Sequence, residues 1–170
     1  GASCPEGYGD YFAWGETCSK EDYTWGAYKY GDSPDDLTKY NYNDKLVTLE
    51  AADDAASVNW GKECRIPTRE EWEELCNKCN CTWEWTKLND VKGYSVTGPN
   101  GNSIFMPASG LRVDDDLKYD KIEGHYWTRS LTKESYLGNN IDYLYFDKRD
   151  KAKKNRDRFS GLPVRPVTKD

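Results

Sequence analysis

Asp147-Lys-Arg-Asp-Lys-Ala-Lys-Lys-Asn-Arg-Asp-Arg158 is a basic block set between two strand-like segments, Tyr126-Trp-Thr-Arg-Ser130 before it and Gly161-Leu-Pro-Val-Arg-Pro-Val167 after it. The flanks read as framework and the block as a contact surface. It carries 7 Lys or Arg against 3 Asp, a local charge of +4 in a chain of net −6, so the remainder carries −10. A local reversal of sign favours an anionic or polar partner there, and a solvated loop or edge-strand face is the structural alternative.

Outward from the block, residues 126–130, 142–147 and 162–167 read as three strands. Residues 93–97 and 103–106 read as a hairpin through the turn Gly98-Pro-Asn-Gly-Asn102. Residues 81–85 alternate as a half-buried strand, and residues 8–14 form an aromatic strand closed by Gly15. The clearest helix starts at Thr68, where Thr68 and Glu71 have capping-box spacing after Pro67. Trp72, Leu75, Cys76 and Cys79 then share one apolar face. A short helix is expected near residues 49–58, and residues 18–45 read as an irregular excursion anchored by Trp25, Tyr28 and Tyr30. Helices early and an antiparallel sheet late give an α+β class.

A chain of 170 residues suits one domain. Only 36% is hydrophobic, but 7 Trp and 13 Tyr supply large, stiff, partly polar groups for both a core and a recognition surface. No apolar stretch approaches the ~20 residues of a membrane span. Six cysteines favour an oxidising, exported setting, with connectivity left open.

The residues give little support for catalysis. His125 is the sole histidine and has no neighbouring Ser or Cys motif. Cys64, Cys76, Cys79 and Cys81 include one Cys-x-x-Cys spacing but lack the second pair of a structural zinc site, and Asp114-Asp115-Asp116 reads as a solvated turn. The acidic remainder of the chain opposes nucleic-acid binding, so no cofactor, metal or nucleic acid is expected.

Several segments, in order and across nearly the whole chain, then carry a resemblance: Gly9-Asp-Tyr-Phe-Ala-Trp-Gly-Glu16, Asp54-Ala-Ala-Ser-Val-Asn-Trp-Gly61, Arg65-Ile-Pro-Thr-Arg-Glu-Glu-Trp72, Gly98-Pro-Asn-Gly-Asn-Ser-Ile-Phe105, Tyr126-Trp127 and Val164-Arg-Pro-Val167. Together they resemble the C-type-lectin-fold proteins of the formylglycine-generating-enzyme-like branch, which include variable proteins of diversity-generating retroelements and related surface adhesins. The resemblance implies a C-type-lectin-like fold of short helices packed on a small antiparallel sheet with long loops. It also implies a single domain over residues 1–170 with its display segment at about residues 125–162.

The implied function is non-enzymatic binding of a macromolecular surface ligand, protein or glycan, outside the cell, on its surface or on a phage particle, without insertion of the chain in a membrane. The matching display positions are His125, Thr128, Arg129, Tyr143, Tyr145, Asp147, Arg149, Arg156, Arg158 and Phe159. Lys148, Lys151, Lys153 and Lys154 depart from this pattern, since randomising the adenines of an Asn codon never yields Lys. Two other readings are a relative of the formylglycine-generating oxidases, whose late cysteine pair is missing here, and a pilus or fibre subunit.

Overall fold

Residues 124–131 and 140–146 pair antiparallel, and that pairing divides the molecule. In the computed structural model, which describes residues 2–132 and 138–168, the chain order is β1 (Tyr11–Phe12), a 3-10 turn (Trp25–Ala27), α1 (Ala55–Trp60), β2 (Cys64–Arg65), α2 (Arg69–Cys76), β3 (Thr82–Leu88), β4 (Val91–Thr97), β5 (Ser103–Pro107), β6 (Leu111–Val113), β7 (Asp116–Lys118), β8 (Gly124–Leu131), β9 (Asn140–Phe146), β10 (Lys151–Asp157), β11 (Leu162–Pro163) and β12 (Val167–Thr168). Two three-stranded antiparallel sheets, β10-β9-β8 and β3-β4-β5, form the body, and β1-β11, β12-β2 and β6-β7 are short pairs around it.

Period-2 alternation sends the two faces of β8 and β9 into different cores. Trp127, Ile141, Tyr143 and Tyr145 join the larger core with Tyr11, Phe12, Trp14, Tyr23 and Leu162. Tyr126, Leu144 and Phe146 join the smaller one with Trp72, Tyr94, Val96 and Met106. Gly124 lies directly opposite Phe146 in the ladder, and any Cβ there would overlap the ring. The glycine is what allows that ring to lie flat across the strand.

Tyrosines and tryptophans build this core because their polar tips satisfy an irregular backbone as their rings are buried. Tyr23 donates to the Tyr11 carbonyl (2.6 Å), Tyr28 to that of Trp14 (2.7 Å) and Tyr126 to that of Pro107 (2.7 Å). The Trp14 and Trp127 indoles cross-connect the ends of the chain, donating to Thr128 O (2.8 Å) and Phe12 O (2.7 Å). The excursion over residues 18–45 is fixed mainly at Asp53, which accepts from Tyr30 (2.5 Å), Tyr40 (2.7 Å) and Lys39 (2.6 Å). Tyr28 and Tyr30 are buried anchors, as expected, whereas Trp25 is only half-buried, against Phe159.

The capping box at Thr68 is formed, and Arg65 clamps Glu71 through both guanidinium nitrogens at 2.6 and 2.7 Å. The hairpin of residues 93–97 and 103–106 is present as β4 and β5, in the register Gly93↔Pro107 to Thr97↔Ser103.

The α+β expectation is overturned: the described residues hold twelve strands and only two α-helices, of six and eight residues, so the protein is mostly β. Short helices do not form a layer on the sheet. α2 touches it through Trp72 and the buried Arg69–Asp142 pair (2.6 Å), and much of the same face is instead covered by the β3-β4-β5 sheet, whose Trp83 and Tyr94 pack on Phe146. Part of the difference comes from β7 and β10, whose polar sequences resemble turns. They form strands because their backbone groups pair with a neighbour while their side chains stay partly or wholly exposed, so no apolar alternation is required of them.

Candidate functional site

The basic block folds as a turn followed by an edge strand. Asp147 Oδ1 accepts from the backbone N–H of Arg149 (2.6 Å) and Asp150 (2.8 Å), which closes the turn and holds the carboxyl below its ordinary range. From Lys151 onward the strand runs in unbroken antiparallel register along β9, Lys151 opposite Phe146 through Asp157 opposite Asn140. Ala152, Lys154 and Arg156 therefore share a face with Tyr143 and Tyr145, and β8 adds His125 opposite Tyr145.

On this face His125, Tyr143 and Tyr145 make a buried aromatic floor. The His125 ring stacks on Tyr143 at 5.5 Å and 25°, meets Tyr145 edge-on at 5.5 Å, and lies 6.4 Å from the exposed ring of Tyr119. The rim is charged. Lys154 Nζ sits 3.2 Å from the Tyr145 ring centroid, Arg156 Nε donates to Ser160 Oγ (3.0 Å), and the Tyr145 hydroxyl donates to Asp147 Oδ2 (3.2 Å) with Glu123 Oε1 at 3.5 Å. Burial, followed by Glu123 and Asp147, pushes the Tyr145 phenol well above its ordinary range, so it is a donor at neutral pH.

His125 is neutral. Burial, reinforced by Arg156 and Lys154, pushes its pKa down to about 3, so the 2.9 Å contact with Glu123 is a hydrogen bond from a neutral Nε2–H to a carboxylate. Its other nitrogen, Nδ1, is then an acceptor, buried and without a partner among the described residues. The face thus combines a buried aromatic floor with two cations and two carboxylates within one small area, and the unpartnered Nδ1 lies beneath it, out of contact with solvent.

The expected display residues divide. His125, Tyr143, Tyr145, Asp147 and Arg156 are brought together, and Arg149 is exposed in the adjoining turn. Thr128, Arg129, Arg158 and Phe159 lie elsewhere. Thr128 is fully buried and donates to Asp142 O (2.8 Å), while Arg129 donates to Leu49 O (2.5 Å) and lies 3.9 Å from Asp54. Arg158 is fully buried, donating to the Lys39, Tyr40 and Gly138 carbonyls beneath Trp14, and Phe159 packs on Trp25 at 5.1 Å.

The chain matches no family model, no curated protein and no solved structure.

Tyr119, Glu123 and Lys154 belong to the site but are not among the expected positions. Glu123 lies just before β8 and two residues before His125, and Lys154 alternates with Arg156 along β10. Tyr119 reaches the site through a left-handed backbone (φ 61°), which local sequence did not signal. Among the described residues no three His, Cys, Asp or Glu side chains gather as a metal-binding group. Cys64, Cys76 and Cys81 are half-buried thiols, and Cys4, Cys18 and Cys79 are exposed ones. No described helix is long and apolar enough to cross a membrane.

Proposed function

We propose that the protein is a non-enzymatic recognition module that binds a macromolecular surface ligand, protein or glycan, through the face formed by β8, β9, β10 and the turn at residues 147–150. The observation that carries the reading is the buried floor of His125, Tyr143 and Tyr145 beneath a rim of Tyr119, Glu123, Asp147, Lys154 and Arg156, with Arg149 exposed in the adjoining turn. An exposed aromatic, Tyr119, ringed by forked donors and acceptors is the chemistry of adaptable binding surfaces, and the buried rings support it from below. The motif resemblance to retroelement variable proteins and surface adhesins points the same way and puts the protein outside the cell, on its surface or on a phage particle.

Among the described contacts of His125 are one carboxylate and three tyrosine rings, an arrangement different from the Ser–His or Cys–His pair of nucleophilic catalysis.

Binding to glycan and peptide arrays tests the proposal, comparing the native protein with Tyr119→Ala, Arg149→Ala and Arg156→Ala. These side chains lie on the rim or in the adjoining turn, so the variants keep the native melting temperature within about 3 °C, a surface-substitution effect, and lose the array signal. Undiminished binding by all three would sink the assignment of this face. Tyr143→Ala and Tyr145→Ala are poor probes, because both rings are part of the core.

A further inference from the structure

The free edge of β10 is the part of the recognition hairpin that its own fold leaves unused. Two hydrogen bonds fix the phase of the β9–β10 ladder: Asp147 N–H to Asp150 O (2.9 Å) at the turn and Arg158 N–H to Asn139 O (3.2 Å) at the far end. In an antiparallel ladder, bonded pairs alternate with non-bonded pairs. Ala152, Lys154 and Arg156 therefore aim their backbone groups at β9, and Lys151, Lys153 and Asn155 aim theirs outward. No described residue bonds to the N–H or C=O groups of those three, whereas the Asp157 carbonyl at the strand end is taken by Ser160 N–H (3.2 Å). β10 is the outer strand of its sheet.

Proteins usually blunt such an edge with proline, a bulge or charge. β10 has no proline, and its seven residues pair with β9 without a register shift. Charge is the one device present. Four of the seven residues are Lys or Arg, against one Asp. Their side chains also lie back over the sheet faces instead of across the edge. Lys151 Nζ is 5.3 Å from the Trp83 ring, Lys153 Nζ 3.4 Å from Glu73, Lys154 over Tyr145, and Arg156 bonded to Ser160. The edge is open to a backbone and selective by sign. A second copy of this strand would set Lys and Arg against Lys and Arg, which is unfavourable, whereas an acidic strand would be flanked by cations on both faces.

We propose that β10 accepts an extended acidic segment of a partner protein as a fourth strand of the β10-β9-β8 sheet, with the free N–H and C=O groups of Lys151, Lys153 and Asn155 supplying its main-chain bonds. Carboxylates on one side of that segment meet Lys154 and Arg156, and those on the other meet Lys151 and Lys153. The inference rests on reading this hairpin as a recognition surface and specifies the ligand as protein, held by its backbone.

The test uses the seven-residue peptide Glu-Glu-Val-Glu-Glu-Tyr-Glu, which carries carboxylates on both faces of a strand, the same peptide N-methylated at every residue, and a version with Lys in place of Glu. Binding is read by fluorescence anisotropy and by NMR amide exchange. The acidic peptide binds and slows exchange at Lys151, Lys153 and Asn155, while both control peptides lose affinity by about tenfold or more. Lys153→Pro removes one outward N–H without touching the β9 ladder, and it weakens the acidic peptide by a similar factor. Failure of the acidic peptide to bind, or equal binding by its N-methylated form with no amide protected, overturns the proposal. If array binding still depends on Tyr119 and Arg149 in that case, the face reading survives and only strand addition falls. If it does not, both fall.

Discussion

Replacing Arg158 with alanine distinguishes framework from display within two residues of sequence. Arg158 has no exposed surface, its guanidinium donates to Lys39 O (3.0 Å), Tyr40 O (2.8 Å) and Gly138 O, and it lies 5.3 Å from the Trp14 ring and 5.9 Å from that of Tyr28. Each hydrogen bond from a charged donor contributes ~1.5–3 kcal/mol, and carbonyls left buried without a partner cost a comparable amount. The Lys39 and Tyr40 carbonyls belong to a surface excursion and rehydrate in part, so a net loss of ~4 kcal/mol is expected, in the range for breaking a buried ionic contact. For a domain of this size that corresponds to a melting temperature lower by ~8–16 °C. Arg156, half-buried on the rim where it bonds to Ser160 and lies beside the Tyr143 hydroxyl, costs about 1 kcal/mol when truncated. Urea and thermal melts of the two variants, followed by circular dichroism, measure the contrast. A fall of under ~2 °C for Arg158→Ala, or equal falls for both, would refute the division of the block into a buried anchor and an open rim.

Three further outcomes follow from the same structure. Burial raises the Asp53 carboxyl, but donors from Lys39, Tyr30 and Tyr40 outweigh it and hold the pKa at about 2 against an unperturbed 3.8; its contribution is therefore full above about pH 4 and lost as pH falls towards 2, and Asp53→Asn flattens that limb of an acid-unfolding curve. His125, held near 3, is neutral in the folded protein, so its NMR ring signals do not titrate between about pH 5 and 8, and its contribution to stability, complete above the unfolded value near 6.5, is lost as pH falls towards 3. Burial pushes the Cys76 thiol up to about 11, so in the native protein iodoacetamide labels exposed Cys4, Cys18 and Cys79 well before Cys76, and equal rates at all four would contradict its placement in the smaller core.

The legible parts of the sequence were those with local signals. The Thr68 capping box needs only four residues, and the β4–β5 hairpin announces itself by Gly98-Pro-Asn-Gly-Asn102 between apolar runs. β10 gave no such signal. Lys, Asn and Arg have little β propensity of their own, and an edge strand that is at most half-buried needs no hydrophobic period, so a charged strand and a charged loop look alike. The class therefore read as α+β until the edge strands were seen. Within the site, the aromatic and charged composition was visible, but the parity was not. Arg156 and Arg158 differ in fate because the strand ends between them, and the chain then turns Arg158 under the Tyr40 excursion, 118 residues away in sequence. Asp53 was equally silent, since its partners lie 13 to 23 residues upstream and are gathered only by the fold.

The most direct test of the recognition surface is hydrogen–deuterium exchange of the protein alone and with the tightest ligand from the arrays. Protection confined to residues 119–125 and 147–156, around the floor of His125, Tyr143 and Tyr145, is the predicted footprint. Protection centred instead on the β3–β4 hairpin or the excursion at residues 18–45, with the β10 amides unchanged, would contradict it.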